Sequence, residues 1–170
     1  MNEIELLRNQ LATERRHVRE VASACAAAHR KAPAAGSALE PLRAACTEYL
    51  GCLLGWFDQR DERLGELCAR VPAGDAGRGT IAALELRGRG REALEGLAQR
   101  GLTQESSQGL AQYINGAWDA RRGAIEAALA ANARVADWRA FGAIDADSMY
   151  RERALYARVR AALPEGIELA

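Results

Sequence analysis

Three arginines stand where the apolar stripe of a helix would ordinarily carry leucine: Arg60, Arg87 and Arg121 each fall near the middle of the inward phase of a different predicted helix. A guanidinium is charged at every accessible pH and carries five N–H donors. Inside a helical core it therefore needs carboxylates, backbone carbonyls, water or a bound anion. Two chemistries follow. Paired with Glu14, Asp61, Glu48 or Asp119, Arg60, Arg87 and Arg121 or its neighbour Arg122 form an internal ionic network. In excess over the nearby acids, they hold a small anion or carboxylate through forked hydrogen bonds. A third outcome is chemically silent, because an arginine near a helix edge reaches solvent along its aliphatic stem, and helical phase does not separate this case from the others.

The other reactive types are sparse. Glu14 and His17 have the Glu-x-x-His spacing that puts both side chains on one helix face, and carboxylate-bridged di-iron bundles use two such pairs. Only one is present here, so it reads first as an ordinary helix-face contact and second as a metal-ligand pair. His29, the other histidine, lies in the last turn of its helix and suits the negative helix end. Neither has an identifiable nucleophile partner, so no catalytic residues are assigned. Cys25, Cys46, Cys52 and Cys68 lack Cys-x-x-Cys spacing and read first as reduced, buried, small hydrophobes and second as disulfide or metal candidates. Trp56, Phe57 and Trp118 could line an apolar pocket, although aromatics at such positions more often fill a core. The glycine-rich stretch from Gly74 to Gly79 lacks the Gly-Lys-Ser/Thr ending of a phosphate loop, which leaves it a linker.

Helices must position these groups. A capping-box start at Asn2 and Glu5 opens the first, striped by Ile4, Leu7, Leu11, Val18, Val21 and Cys25. Ser37 and Glu40 open a second, striped by Leu39, Leu42, Cys46, Tyr49, Leu50, Leu53, Phe57, Leu64, Leu67 and Val71. Gly51 and Gly55 within it suggest a close helix contact. A third runs from Thr80 through Leu86, Leu94, Leu97 and Ala98 to Gly101. The fourth starts at Thr103 or Ser106 and turns Leu110, Ile114, Trp118, Ile125 and Leu129 inward. Asp137 can cap the last, through Trp138, Phe141, Ile144, Leu155, Tyr156 and Val159, which stops before Pro164. Nothing reads as a strand. Short connections between long amphipathic helices favour antiparallel neighbours. The expected fold is all-α, one domain over 1–170: an up-down four-helix bundle over about 2–133 with an additional C-terminal helix over about 137–163.

Composition narrows the partners. Lys+Arg and Asp+Glu number 23 each, so no net field marks a nucleic-acid or membrane-surface binder. Glu3, Glu5 and Arg8 fall where a signal peptide would be apolar, and no run is long enough for a membrane span, which suggests a cytoplasmic protein.

Within that architecture the chain resembles the hemerythrin-like (HHE cation-binding) family over nearly its whole length. Tyr49–Leu64 is similar to the family segment carrying a His-x-x-x-Glu pair ahead of an acidic and apolar run. Glu85–Leu94 resembles its Glu-His-x-x-Gly-Arg stretch, Tyr113–Ile125 has the rhythm of its second His-x-x-x-Glu helix, and the run from Ala136 to Phe141 resembles a segment common after such bundles. The resemblance implies a site at the bundle centre, where family members bind two irons through histidines and carboxylates. Here Trp56 or Phe57 takes a histidine position, Arg60 or Asp61 a glutamate position, and Arg87 another histidine position. Trp118 and Arg122 replace the pair on helix four, with Arg121 more central by phase, while Glu14 or His17 aligns on helix one. A guanidinium is no ligand for iron. The expectation is a metal-depleted hemerythrin-like binding or regulatory module without a cofactor. An internal ionic or small-anion site would replace the di-iron centre, and a protein partner, a small anionic ligand or a second copy in a homodimer would be bound. The alternative is an oxygen-, nitric oxide- or redox-responsive protein keeping one iron through His17, Glu14 and Asp61.

Overall fold

A computed structural model describes residues 3–31, 39–68, 89–101, 103–130 and 146–169, and the structural statements below concern these residues. They hold five helices and no strand: α1 (Glu3–Lys31), α2 (Glu40–Cys68), α3 (helical residues 89–100), α4 (Gln104–Ala130) and α5 (Ala146–Ala161).

The helix ends follow local chemistry. Glu40 places a carboxylate at the positive end of α2, where the Arg43 N–H donates to Leu39 O at 2.9 Å. The Arg43 side chain bonds Glu40 and donates to Ala98 O at 2.6 Å, tying the start of α2 to the end of α3. Helix α3 stops at Gly101, whose φ of 80° suits a residue without Cβ. Thr103 then caps α4 reciprocally. The Ser106 N–H donates to Thr103 Oγ1 at 3.1 Å, and the Thr103 N–H donates to Ser106 Oγ at 3.0 Å. Of the two starts read from the sequence, the structure selects Thr103.

The core forms where the stripes meet. Val18, Val21 and Cys25 of α1, Leu42, Cys46, Tyr49, Leu50 and Leu53 of α2, Leu97 of α3, Leu110 of α4 and Val159 of α5 are all essentially inaccessible. Each large aliphatic among them contributes about 1.5–3 kcal/mol by leaving water. Helix α1 packs chiefly on α4, and α2 chiefly on α5, with further contact of α2 to α1 and α4. Cross-helix pairs mark the registers: Glu14 with Arg60 and Cys25 with Cys46 between α1 and α2, Asp58 with Arg91 between α2 and α3, and His17 with Glu152 between α1 and α5.

Two sequence expectations are corrected. Ala98 is exposed, because the inward phase of α3 passes through Leu97. The close helix contact is not at Gly51 or Gly55, both exposed: a Cβ at Gly51 would meet Leu94 at an ordinary 3.7 Å, and one at Gly55 would meet nothing within 4 Å. It is at buried Gly90, where a Cβ would lie 2.5 Å from the Tyr113 ring. The fifth helix occupies 146–161 of its expected span, and Asp137, Trp138, Phe141 and Ile144 lie outside the described residues, as do Ser37, Thr80 and the Gly74–Gly79 stretch. No helix among the described residues is long and apolar enough to cross a membrane.

Candidate functional site

The helical repeat of α1 aligns Gln10, Glu14 and His17 along one side, at spacings of four and three residues, with Glu20 one turn beyond. This polar row borders the apolar row of Leu11, Val18 and Val21 and faces α2 and α5. Glu14 and Arg60 meet across α1 and α2, with side chains 8% and 6% exposed. The contact is forked: Arg60 Nη1 donates to Glu14 Oε2 and Nη2 donates to Oε1 at 3.1 Å. Gln10 Nε2 donates to the same Oε1 at 3.2 Å. Both carboxylate oxygens and both terminal guanidinium nitrogens are thereby engaged, as desolvated charges require.

One turn along α1, a second cluster joins three helices. His17 Nδ1 donates to Glu152 Oε1 of α5 at 2.9 Å, and Tyr49 OH of α2 donates to the same oxygen at 3.0 Å. Tyr156, four residues after Glu152, stacks on the His17 ring with centroids 4.1 Å apart and planes 16° apart. Its hydroxyl donates to Glu20. The Tyr49 ring lies 5.9 Å from that of Tyr156, tilted by 52°. Burial first, and then the Glu152 carboxylate, hold the Tyr49 phenol far above its ordinary range. Burial and the bond to Glu20 push Tyr156 up to about 12. Both phenols are thus kept protonated as donors to fixed carboxylates.

At the opposite end of the α1–α2 pair the contacts are of another kind. The thiols of Cys25 and Cys46, both fully buried and free, hydrogen-bond each other, and this contact and burial push Cys46 well above the usual thiol range. Burial also raises half-buried Cys52. Thiols so raised are poor nucleophiles.

Of the residues read from the sequence as central, the structure brings together Glu14 and Arg60, with His17 beside them. Arg60 is a buried, paired charge, so it is not an arginine reaching solvent along its stem. Phe57 is buried in the core and Trp56 is half-buried against it. Asp61, Trp118, Arg121 and Arg122 lie on helical backbone, but their side chains are outside the description, as is the whole of Arg87. Two partner assignments change. Glu48 pairs on the surface with Arg158 at 2.6 Å, the two side chains 44% and 59% exposed, and not with Arg60. His17 is held by Glu152, 135 residues away along the chain, and not by Glu14 on its own face.

Sequence reasoning missed Glu152, Tyr49, Tyr156 and Glu20 as members of one site. A signal existed for the first: Glu152, Leu155, Tyr156 and Val159 repeat at the inward spacing of α5, which puts a carboxylate in the phase of a core residue. Tyr49 had no such signal, since a tyrosine in a core stripe is ordinary filler until a partner reaches its hydroxyl.

Of the one-iron ligand set, Glu14 and His17 are described and the Asp61 side chain is not. Glu14 is paired with the Arg60 guanidinium and His17 Nδ1 with Glu152, which leaves Nε2 as the remaining position of that ring; among the described residues no three His, Cys, Asp or Glu side chains converge to hold a metal ion. No family model, curated protein or solved structure matches the chain.

Proposed function

We propose that this chain is a hemerythrin-like binding or regulatory module in which a sealed ionic pair stands where related bundles hold metal. The observation carrying this reading is the buried, forked Glu14–Arg60 contact, a carboxylate and a guanidinium each satisfying the other between two central helices. A positive group with this pairing repels a cation, and Glu14 is neutralised before any metal could use it. The Glu152 carboxylate on Nδ1 leaves His17 Nε2 as the row's one basic position, and no Ser, Thr or Cys of the row stands beside it as a nucleophile, which favours binding over catalysis. For Arg60 the ionic network is favoured over a small-anion site, because its fork is already filled by a carboxylate.

The topology proposed with it is up-down. Between α1 and α2, residue 14 meets 60 while 25 meets 46; between α2 and α3, 58 meets 91 while 43 meets 98; and between α3 and α4, 90 approaches 113 while 93 approaches 109. In each pair one number rises as the other falls, the signature of antiparallel neighbours. Helix α5 pairs 152 with 17 and 156 with 20, so it runs with α1 as an addition to four alternating helices.

Metal content and stability test the function together. Protein purified from iron-supplemented cells should be colourless, contain far less than one iron per chain, and show no shift in melting temperature on adding ferrous iron. Arg60→Met should not create binding, because Glu14 and His17 together are too few donors to hold iron tightly. Stoichiometric iron, with loss on Glu14→Gln or His17→Gln, would establish the oxygen- or redox-responsive alternative in its place.

A further inference from the structure

We propose that α5 is a strap, closed over the α1–α2 junction by a polar clasp centred on Glu152, and that the Glu14–Arg60 pair becomes accessible to solvent and anionic ligands only when α5 lifts. The proposal rests on the sealed-pair reading above and adds its regulation. Three contacts make the clasp: His17 to Glu152, Tyr49 to the same carboxylate oxygen, and Tyr156 to Glu20 with its ring on His17. Each links residues more than a hundred positions apart, so each exists only when α5 is docked.

The make-up of α5 suits a part that opens separately. Its inward face carries Glu152, Leu155, Val159 and half-buried Tyr156, whereas Asp147, Met149, Tyr150, Arg151, Arg153, Arg158 and Arg160 are exposed. Leu155 and Val159 are continued after the helix by Leu163, Ile167 and Leu169, so apolar contact holds its C-terminal end, whereas over residues 147–152 the one buried side chain is Glu152. A carboxylate at the centre of the docked face gains only what its two donors return after desolvation. The first half of α5, docked through a carboxylate and not through an apolar row, is specific in register and weakly held, the combination expected of a segment that opens below global unfolding.

The clasp also lies against the ion pair. His17 follows Glu14 by three residues, about 4.5 Å along the helix axis. Tyr49, which holds Glu152, is close enough to Glu14 for that carboxylate to act on its phenol. Glu14 and Arg60 are 6% and 5% exposed with α5 in place.

Hydrogen exchange and arginine labelling on the full chain test the strap. Peptides from α5 should exchange faster than those from α1 and α2 in the wild type, and Arg60 should resist phenylglyoxal, with exposed Arg91 and Arg153 as reactive controls. In Glu152→Ala, and more mildly in Tyr156→Phe, exchange in α5 should rise by roughly tenfold, as the loss of clasp hydrogen bonds predicts, while α1 and α2 stay protected. Labelling of Arg60 should rise by the same factor. Tyr156→Phe removes one half-buried hydroxyl, so it carries the test if Glu152→Ala fails to fold. Exchange of α5 in step with α1 and α2 in both proteins would overturn the strap, as would opening of α5 with Arg60 still protected. Rapid Arg60 labelling in the wild type would overturn the sealed pair itself, and the strap with it.

Discussion

The two ends of the α1–α2 pair both bury their central side chains and are built on opposite principles. At one end Val21, Cys25 and Ala28 of α1 and Leu42 and Cys46 of α2 are fully buried in the apolar core, and the Cys25 and Cys46 thiols meet across the two helices. At the other, Glu14 faces Arg60, and His17 leads on to Glu152, Tyr49 and Tyr156. The apolar end gains free energy from area and tolerates small changes of shape. The polar end gains little net free energy, since desolvation offsets most of the Coulomb attraction, but it depends on every partner being present. The same pair of helices therefore carries one region that supplies stability and one that supplies register and specificity.

The sharpest way to break this contrast is Glu14→Ala. It strands a buried guanidinium and should cost about 3–5 kcal/mol in denaturant unfolding. Replacing both partners together, Glu14→Leu with Arg60→Met, should recover most of that loss, because no charge is then left unpaired. A loss below about 1 kcal/mol for the single change would mean that the pair is effectively solvated and the ends do not differ.

Gly90→Ala comes next, on the apolar side. Its Cβ would stand 2.5 Å from the Tyr113 ring, so the α3–α4 contact must shift, at about 1–3 kcal/mol. The same change at Gly55, with open space around it, should be neutral or slightly stabilising through helix propensity. Equal effects at both sites would remove close packing as the explanation.

Cys46→Ala probes the apolar end directly. Loss of one buried thiol should cost about 1 kcal/mol, comparable to a methylene group, with no change in the fold. Native thiols at Cys25 and Cys46 should label slowly, and completely only on unfolding, since both are fully buried and the Cys46 thiol is raised by its contact with Cys25 and by burial. Rapid native labelling of this pair would move the apolar end into the functional region.

Glu48→Ala is the surface control. Its partner Arg158 is 59% exposed, so the change should alter stability by less than about 1 kcal/mol and should weaken further with salt.

The last prediction is silent at neutral pH. Raising the Tyr156 phenol from 10 to about 12 means that between these values the unfolded chain has lost a proton that the folded chain keeps. Stability is then lost as pH rises through that window, and is unaffected by this group below it. Tyr49, shifted further in the same direction, should ionise only as the fold opens. Phenolate absorbance should show these late titrations, and Tyr156→Phe should remove one. A chain whose tyrosines all titrate near the ordinary value would show that the clasp does not form in solution.

Much of the frame was legible in the sequence because it depends on local rules. Helical periodicity marked Val18, Val21 and Cys25 on α1 and Leu42, Cys46, Leu50 and Leu53 on α2 as inward, and all are buried. Gly101 and Thr103 announced a helix end and a helix start through backbone preferences that need no distant partner. Arg60 was conspicuous as a charge in an apolar phase, and Glu14 was among the partners its chemistry allowed.

What only the tertiary structure decided is which distant groups satisfy one another. Periodicity tells which side of a helix faces inward but not which residue of another helix stands opposite. His17 thus read as a companion of Glu14 when its partner is Glu152, and Glu48 read as a core acid when it lies on the surface with Arg158. Gly51 and Gly55 had the composition of a close contact, but the approach occurs at Gly90, where the facing residue is a tyrosine. Burial, capping and phase are properties of a few consecutive residues. A hydrogen bond across 135 residues is fixed by the rigid-body placement of whole helices, and no local pattern encodes it.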